Sequence, residues 1–550
     1  MKKTLCNHFL ACCIAVVLVV LTLASCSKGP DYGELIPSDA IAVTALDLGT
    51  LWEKGEVDNI EQLSFAKLGL QQLRSDDPQM AAIVDAILKD PRSTGLDLKG
   101  DVVVYLGMDD NSDLAGALMA GVQNRKKFEE FLSQLCSNND LTISTEERKG
   151  WRVMTMESEY GIRNVCIVNN KVAVLLFDED MLDGFMELTH SESLASNRNF
   201  RQYWKDRSEV SVWMNTGSIM EMAEGFGEDI KGTIGRIYGE KFWDEIERSG
   251  IAANITFDKG VMRTVMTYQG ISNKTIKTYM QKFNSDLVDL MPAKTYATLS
   301  TAYNLKETMK ILAADEELGF DLDEEVADGI TLGDAVNAFG GSLIFSLFDF
   351  EVNEGSVMPM MAVAVDIKDA DIVRSLLKEA ELTETGEDVY AIEGILDTPI
   401  YIALNKKALF VTNSDKALEG FKNGKVKGAL GSVAKSAREG NYLYADLDIN
   451  HYPDGIRALL PESVVNLMGK YFEYAEFKTN DTKSGECDLF IKDKKQNSLL
   501  ATLHFVDDNL VELGKLFDEI GGGEECPVYE EEYYVDDEDM ELLDEDDHIL

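Results

Sequence analysis

VCIVNNKVAVLLFDEDMLDGF, residues 165–185, and YIALNKKALFVTNSDKALEGF, residues 401–421, align without a gap, and their common pattern decides the fold. Asn169, Lys171, Leu182, Gly184 and Phe185 recur as Asn405, Lys407, Leu418, Gly420 and Phe421, at the constant offset of 236 that separates residue 165 from residue 401. Each copy opens on an apolar run, turns at Asn and Lys, runs apolar again and closes on a short amphipathic stretch. The pattern predicts strand, tight turn, strand and short helix. Asn suits the turn, and the flanking β-branched and aromatic residues suit a pleated surface.

Working outward, the agreement extends. Phe128, Phe131, Leu132 and Leu135 hold the i, i+3, i+4, i+7 spacing of a helix core stripe. Val373, Leu376, Leu377 and Ala380 repeat it 245 residues after Phe128, and an apolar strand precedes each stripe, Ala117–Val122 and Met361–Val365. The smaller offset of the later match requires only a shorter loop in the second copy. Ile36-Pro37-Ser38-Asp39-Ala40 leads into an alternating strand ending at Leu48, and Met291-Pro292-Ala293-Lys294-Thr295 into one ending at Tyr303. Residues 36–290 and 291–522 therefore read as two homologous α+β halves. Hairpin-like runs at Asp101–Gly107 with Leu114–Val122, and at Ile251–Phe257 with Val261–Tyr268, predict largely antiparallel sheets with helices packed on one face. Strands give way to helical patterns at Asp47, Asn215, Asn304 and Asp448, with Glu307 three residues after Asn304. Such side-chain oxygens accept from the orphan N–H groups of a first helical turn.

Before this body lies a leader. Lys2 and Lys3 precede the apolar run Phe9–Leu23, which is short for a membrane span and stops at Leu23-Ala24-Ser25-Cys26. That ending resembles a bacterial lipobox, so residues 1–25 read as a lipoprotein signal peptide and residues 26–35 as anchor and linker. Lipidation is expected at Cys26, and several acyl chains would make a stable anchor. Similarity to lipoprotein sorting signals implies the outer membrane, because Ser27 follows the cysteine. The stretch Ser27-Lys28-Gly29-Pro30-Asp31 has no dense acidic run of the kind that marks surface export, which slightly favours facing the periplasm over the cell surface and leaves surface exposure open. Cys136, Cys166, Cys487 and Cys526 remain, without C-x-x-C spacing, and read as buried small hydrophobes. A Cys136–Cys166 disulfide stays open at this point.

The chain has 550 residues and a formal net charge of −46, which disfavours nucleic acid as a partner. After Gly521-Gly522-Gly523 the composition shifts: residues 524–550 hold fourteen Asp or Glu and no Lys or Arg. Residues 523–550 read as an acidic, disordered tail whose interleaved Tyr529, Tyr533, Tyr534, Met540, Leu542 and Leu543 could meet a basic protein partner, or bind calcium weakly, or only solvate the chain.

Together the lipobox, the Pro37-Ser38-Asp39-Ala40 opening and the paired halves resemble a family of uncharacterised outer-membrane lipoproteins of the Bacteroides type. The resemblance covers most of the chain. It implies a location and a fold class, and it carries no catalytic residues.

Local chemistry is sparse. Four histidines follow the leader, His190, His451, His504 and His548, and no pair has metal-ligand spacing. The densest cluster is Tyr444-Ala-Asp446-Leu-Asp448-Ile-Asn450-His451, with Asp454 behind it. In a strand Asp446 and Asp448 project from one face, as hard metal ligands or an acid/base pair would. The same residues sit at one of the strand-to-helix joints, where capping accounts for them. Asp109-Asp110-Asn111-Ser112-Asp113 opens like a calcium loop, but Leu114 stands where Gly is needed and Ala120 where Glu is needed. Gly225-Phe-Gly227 and Gly420–Val426 match no phosphate-binding loop. Met358, Met360 and Met361 read as core filling rather than a promiscuous groove. No cofactor is expected. The sequence reads as a non-enzymatic, lipid-anchored envelope protein that binds a protein or envelope ligand; the alternative is a hydrolase or metal-dependent enzyme centred near Asp446, Asp448 and His451.

Overall fold

The computed structural model describes residues 31–513, apart from 109–113, 159, 161–162, 226–239, 293–294, 315–320, 354–355, 381, 394–397, 424–442, 448–451, 453–456, 458–466, 468, 480 and 482. Among the described residues, twenty strands pair into one antiparallel sheet. They are β1 Ala42–Asp47, β2 Asp101–Met108, β3 Leu114–Gly121, β4 Thr142–Arg148, β5 Trp151–Glu157, β6 Arg163–Val168, β7 Val172–Leu176, β8 Val210–Asn215, β9 Gly250–Asp258 and β10 Val261–Gln269. Then follow β11 Ala297–Ala302, β12 Phe339–Asn353, β13 Ser356–Ile367, β14 Thr383–Gly386, β15 Val389–Ile392, β16 Ile400–Leu404, β17 Ala408–Thr412, β18 Leu443–Leu447, β19 Phe472–Thr479 and β20 Ser484–Ile491. A separate two-stranded ribbon joins Glu325–Ala327 to Ile330–Thr331.

From edge to edge the first ten strands run 4-5-6-7-3-2-1-8-9-10. The remainder continue 20-19-18-11-12-13-17-16-15-14. Each run has the same order counted inward from its own edge. They meet where β10 pairs with β20, from Val261 opposite Phe490 to Thr267 opposite Ser484.

The helices that matter below are α1 Leu48–Gly55, α2 Arg125–Asn138, α3 Met181–Glu187, α4 Arg198–Lys205, α5 Asn273–Tyr279, α6 Leu305–Ala313, α7 Ala370–Glu379, α8 Asp415–Lys422 and α9 Ser498–Asp508. Strand-to-helix joints are capped as their sequence implies. Asp47 Oδ1 accepts from Thr50 N at 3.0 Å, Asn215 Oδ1 from Ser218 N at 3.5 Å and Asn304 Oδ1 from Glu307 N at 3.5 Å. The joint at Asp448 lies outside the described residues.

The two quoted stretches fold as strand, turn, strand and helix: β6, β7, α3 and β16, β17, α8. At the first turn Asn169 Oδ1 accepts from Lys171 N at 2.7 Å and Val172 N at 2.9 Å. At the second, Asn405 Oδ1 accepts from Lys407 N at 2.8 Å and Ala408 N at 2.9 Å. Phe185 and Phe421 are buried in the cores beneath.

One expectation needs correction: helices cover both faces of the sheet. On one face Val153, Val165, Ile167 and Val174 pack with Phe185 of α3 and with Phe200 and Tyr203 of α4. On the other, Met154, Met156, Cys166 and Val168 pack with Phe128, Leu132 and Cys136 of α2. The reason is visible in β6, where Val165–Val168 are buried without alternation, the pattern of a strand enclosed on two sides. Cys136 and Cys166 are free, buried thiols, and burial, with Cys136 beside it, pushes Cys166 up to about 12. Met358 and Met360 are core residues.

Candidate functional site

Where β10 meets β20, polar residues from five neighbouring strands fall into one transverse row. Register places Arg263 opposite Asp488, Asp488 opposite Glu476, Glu476 opposite Asp446, and Asp446 opposite Thr298. Directly paired residues share a face, so this row crosses one side of the sheet at its centre. Asp446, which sequence singled out, therefore stands in β18 next to Glu476. Asp448, His451 and Asp454 lie outside the described residues, as do Cys26 and the acidic tail.

Burial makes the row unusual. Asp488 is 3% exposed and Glu476 6%. Their charges are matched by cations. Arg263 grips Asp488 with both prongs, Nε to Oδ1 at 2.8 Å and Nη2 to Oδ2 at 3.0 Å. Its Nε also lies 3.2 Å from Glu486, while Lys478 Nζ sits 3.4 Å from Glu486 and 3.5 Å from Glu476. A bidentate guanidinium–carboxylate pair is the strong form of such a contact. Burial holds the Asp488 carboxyl above its usual range despite the Arg263 guanidinium, which opposes the shift. Burial pulls Lys478 down, but Glu486 and Glu476 outweigh it and leave the ammonium above its ordinary value. The arrangement is a satisfied ion network that ties the two ten-strand runs together. Among the described residues, no group of three or more His, Cys, Asp or Glu could hold a metal ion.

Sequence reasoning found Asp446 and missed Arg263, Glu476, Lys478, Glu486 and Asp488. The signal was present in the alternation of Glu476-Phe477-Lys478 and Glu486-Cys487-Asp488, charged residues at period two inside strands. What it lacked was the pairing partner.

A second polar cluster lies on the second ten-strand side, where Asn304 caps α6. An open groove of about 460 Å³ between α5 and α6 is lined by Asn273, Lys274, Lys277, Thr278, Asn304 and Glu307. Near Asp446 in sequence, Tyr452 joins Tyr296 and Phe350 in an aromatic trio with ring centres 5.4–5.6 Å apart.

At the other end of the described residues, burial begins within the first few positions. Tyr32 is 1% exposed, and its hydroxyl donates to Asp101 O at 2.9 Å. Ile36 O accepts from Leu194 N at 2.8 Å, Ser38 N donates to Glu192 O at 2.7 Å, and Glu34 meets His190 at 2.9 Å. Residues 32–38 are thus built into the segment that precedes α4. Among the described residues no helix is long and apolar enough to cross a membrane.

These features define an α+β protein built on a single wide antiparallel sheet with a charged seam. Residues 32–499 match the protein family described as a domain of unknown function (DUF4836), and the chain belongs to that family. No curated protein and no solved structure matches it.

Proposed function

We propose that this is a non-enzymatic, lipid-anchored cell-envelope protein, held at Cys26, that binds a protein or envelope ligand. One observation carries the reading: the family segment starts at residue 32, where Tyr32 is already a core residue, and the Lys-flanked apolar run and Leu23-Ala24-Ser25-Cys26 precede it in sequence. A family segment that starts after the cysteine is compatible with a cleaved leader and a lipidated Cys26. Residues 1–25 are then the signal peptide and 26–35 the anchor and linker, whose last four residues, Tyr32–Leu35, are already packed into the body, and the body faces the periplasm from the outer membrane.

The body, in this reading, is a duplication of residues 36–290 and 291–522. The equal strand order of the two runs supports it, as do the matching hydrogen bonds at Asn169 and Asn405. The seam network supports a structural role for its charges, because the buried carboxylates of Asp488 and Glu476 each have a cation beside them. Residues 523–550 serve as an acidic hook for a basic protein partner.

The test has two parts. Growth with an alkyne-tagged fatty acid should label the protein and place it in the membrane fraction, and Cys26→Ala should abolish both; a label that survives the substitution ends the anchor reading. In-cell crosslinking with and without residues 524–550 should then capture one basic protein only when the tail is present.

A second reading has one observation in its favour. Asp446 takes a register position beside the buried Glu476, which is where a metal-dependent or hydrolytic enzyme centred near Asp446, Asp448 and His451 would need acids. If Asp446→Ala and Asp448→Ala leave bound metal and any detected hydrolysis unchanged, that reading is finished.

A further inference from the structure

Helix α4 stands out in a chain with a net charge of −46. Phe200 and Tyr203 are buried beneath it, while Arg198, Arg201, Gln202 and Lys205 form its exposed outer face at i, i+3, i+4 and i+7. Among the described residues none of the three cations makes an ion pair or a side-chain hydrogen bond. Nearby acids are engaged elsewhere: Glu34 meets His190, and Glu192 accepts from Thr189. Arg207 is occupied as well, donating to Asp101 and lying over the Trp204 ring at 4.2 Å. Asp206, exposed at the end of the helix, offsets part of the charge of the three.

The helix sits where the chain enters the fold. A Cβ on Gly33 would lie 3.3 Å from the Phe200 ring, and Pro37 bridges to Ser193, five residues before Arg198. From Cys26 to Asp31 there are five residue steps, a reach of at most about 18 Å even when fully extended. A lipid on Cys26 would therefore hold this end of the body within about a helix or two of the bilayer surface.

We propose that the Arg198/Arg201/Lys205 face of α4 docks on the phosphate-bearing headgroups of the membrane that holds the anchor. This rests on the reading of Cys26 as the lipidated residue. Charge complementarity selects the occupant: an anionic surface attracts this basic face and repels the acidic remainder, so the body is oriented as well as tethered. The short tether supplies the effective concentration that three cations alone would lack. Each cation close to an anionic surface is worth about fivefold in association, so the three together are worth roughly a hundredfold.

The experiment uses the lipidated full chain carrying Gln202→Cys, reconstituted into phosphatidylcholine vesicles with or without about 30 mol% phosphatidylglycerol to supply an anionic surface. Intact mass first establishes the acyl chains on Cys26; their absence defeats the anchor reading itself and leaves nothing for α4 to be tethered by. With lipid present, labelling of the introduced thiol by a membrane-impermeant maleimide should slow by about tenfold or more on the anionic vesicles, a lower bound on the hundredfold attraction. R198Q/R201Q/K205Q, or raising salt to about 0.5 M, should restore fast labelling. Unchanged thermal melting of the triple variant shows that its effect is not unfolding. Equal labelling on both vesicles, or protection that the triple variant keeps, overturns the docking while the anchor stands. Protection on neutral vesicles that disappears when residues 524–550 are removed also overturns it, and assigns the basic face to the tail.

Discussion

The same sheet face is filled in two different ways on the two sides of the β10–β20 seam. On the β1–β10 side the floor is aromatic: Trp213 is 1% exposed and meets Phe200 edge-on and Tyr203 at a tilt, with ring centres 5.7 Å away in each case. Gly250 makes room for it, since a Cβ there would come within 2.2 Å of the indole. On the β11–β20 side the floor is small: Ala302, Ala362, Ala364, Ala403 and Ala408 surround Ile344, and the stacked pair Phe410–Phe421 supplies most of the ring volume. Polar side chains differ likewise. Ser211 is buried and fully used, donating to Asn254 Oδ1 at 2.7 Å and accepting from Ser208 N at 2.9 Å. Ser300 and Ser346 are equally buried, and their hydroxyls have no partner among the described residues. One strand order thus tolerates a ring-filled floor and an alanine floor, provided each is filled to native density; what it does not dictate is how well the polar atoms are served.

The comparison can be broken most easily at Trp213. Trp213→Ala should cost about 3–5 kcal/mol in denaturant unfolding, because the rings around it cannot collapse into the space. A loss under about 1 kcal/mol would mean the aromatic floor is loosely packed. At the seam, Arg263→Ala should cost about 3 kcal/mol near pH 8 by leaving Asp488 buried and unpaired. Burial already raises the Asp488 carboxyl, so its charged form is the one that folding disfavours. The penalty should therefore shrink as pH falls and the carboxyl takes up a proton, and grow as pH rises from acid to neutral. Urea melts at several pH values check the sign. The smallest and sharpest contrast is a matched pair. Ser211→Ala should destabilise by about 1–3 kcal/mol, since it strands two half-buried partners, whereas Ser346→Ala should be neutral or stabilising by up to about 1 kcal/mol. Equal losses at both serines would erase the distinction drawn here.

Legibility in the sequence followed the range of the interactions. The turn at Asn169 is written within three residues, Asn169 to Val172, and so is its counterpart at Asn405. The caps at Asp47 and Asn304 are equally local. The antiparallel α+β class followed from such hairpins. The seam was not legible, because Arg263 and Asp488 are 225 residues apart and nothing in either neighbourhood names the other. Helices on both faces were half legible: Val165–Val168 and Val172–Leu176 are continuous apolar runs, and an alternating reading overlooked what continuity means. Asp446 was found for its neighbours in sequence, whereas its register partner Glu476 is thirty positions away in the chain.

The seam also sets a problem in time. β10 is a nine-residue strand, and one of its two edges is closed only by β20, which ends at Ile491. A chain that arrives N-terminus first exposes that edge as a bare template for stray pairing until nearly all of the protein has been delivered. Closure of so distant a contact is slow, because loop entropy must be overcome before the pairing offsets it. Helix α9 and its cap latch onto the start of the fold: Asn497 Nδ2 donates to Lys54 O at 2.8 Å, and Asp507 Oδ1 accepts from Phe65 N at 2.8 Å. A chain truncated before residue 484 would leave β10 uncovered and α1 unlatched, making the early product an aggregation hazard rather than a smaller stable protein.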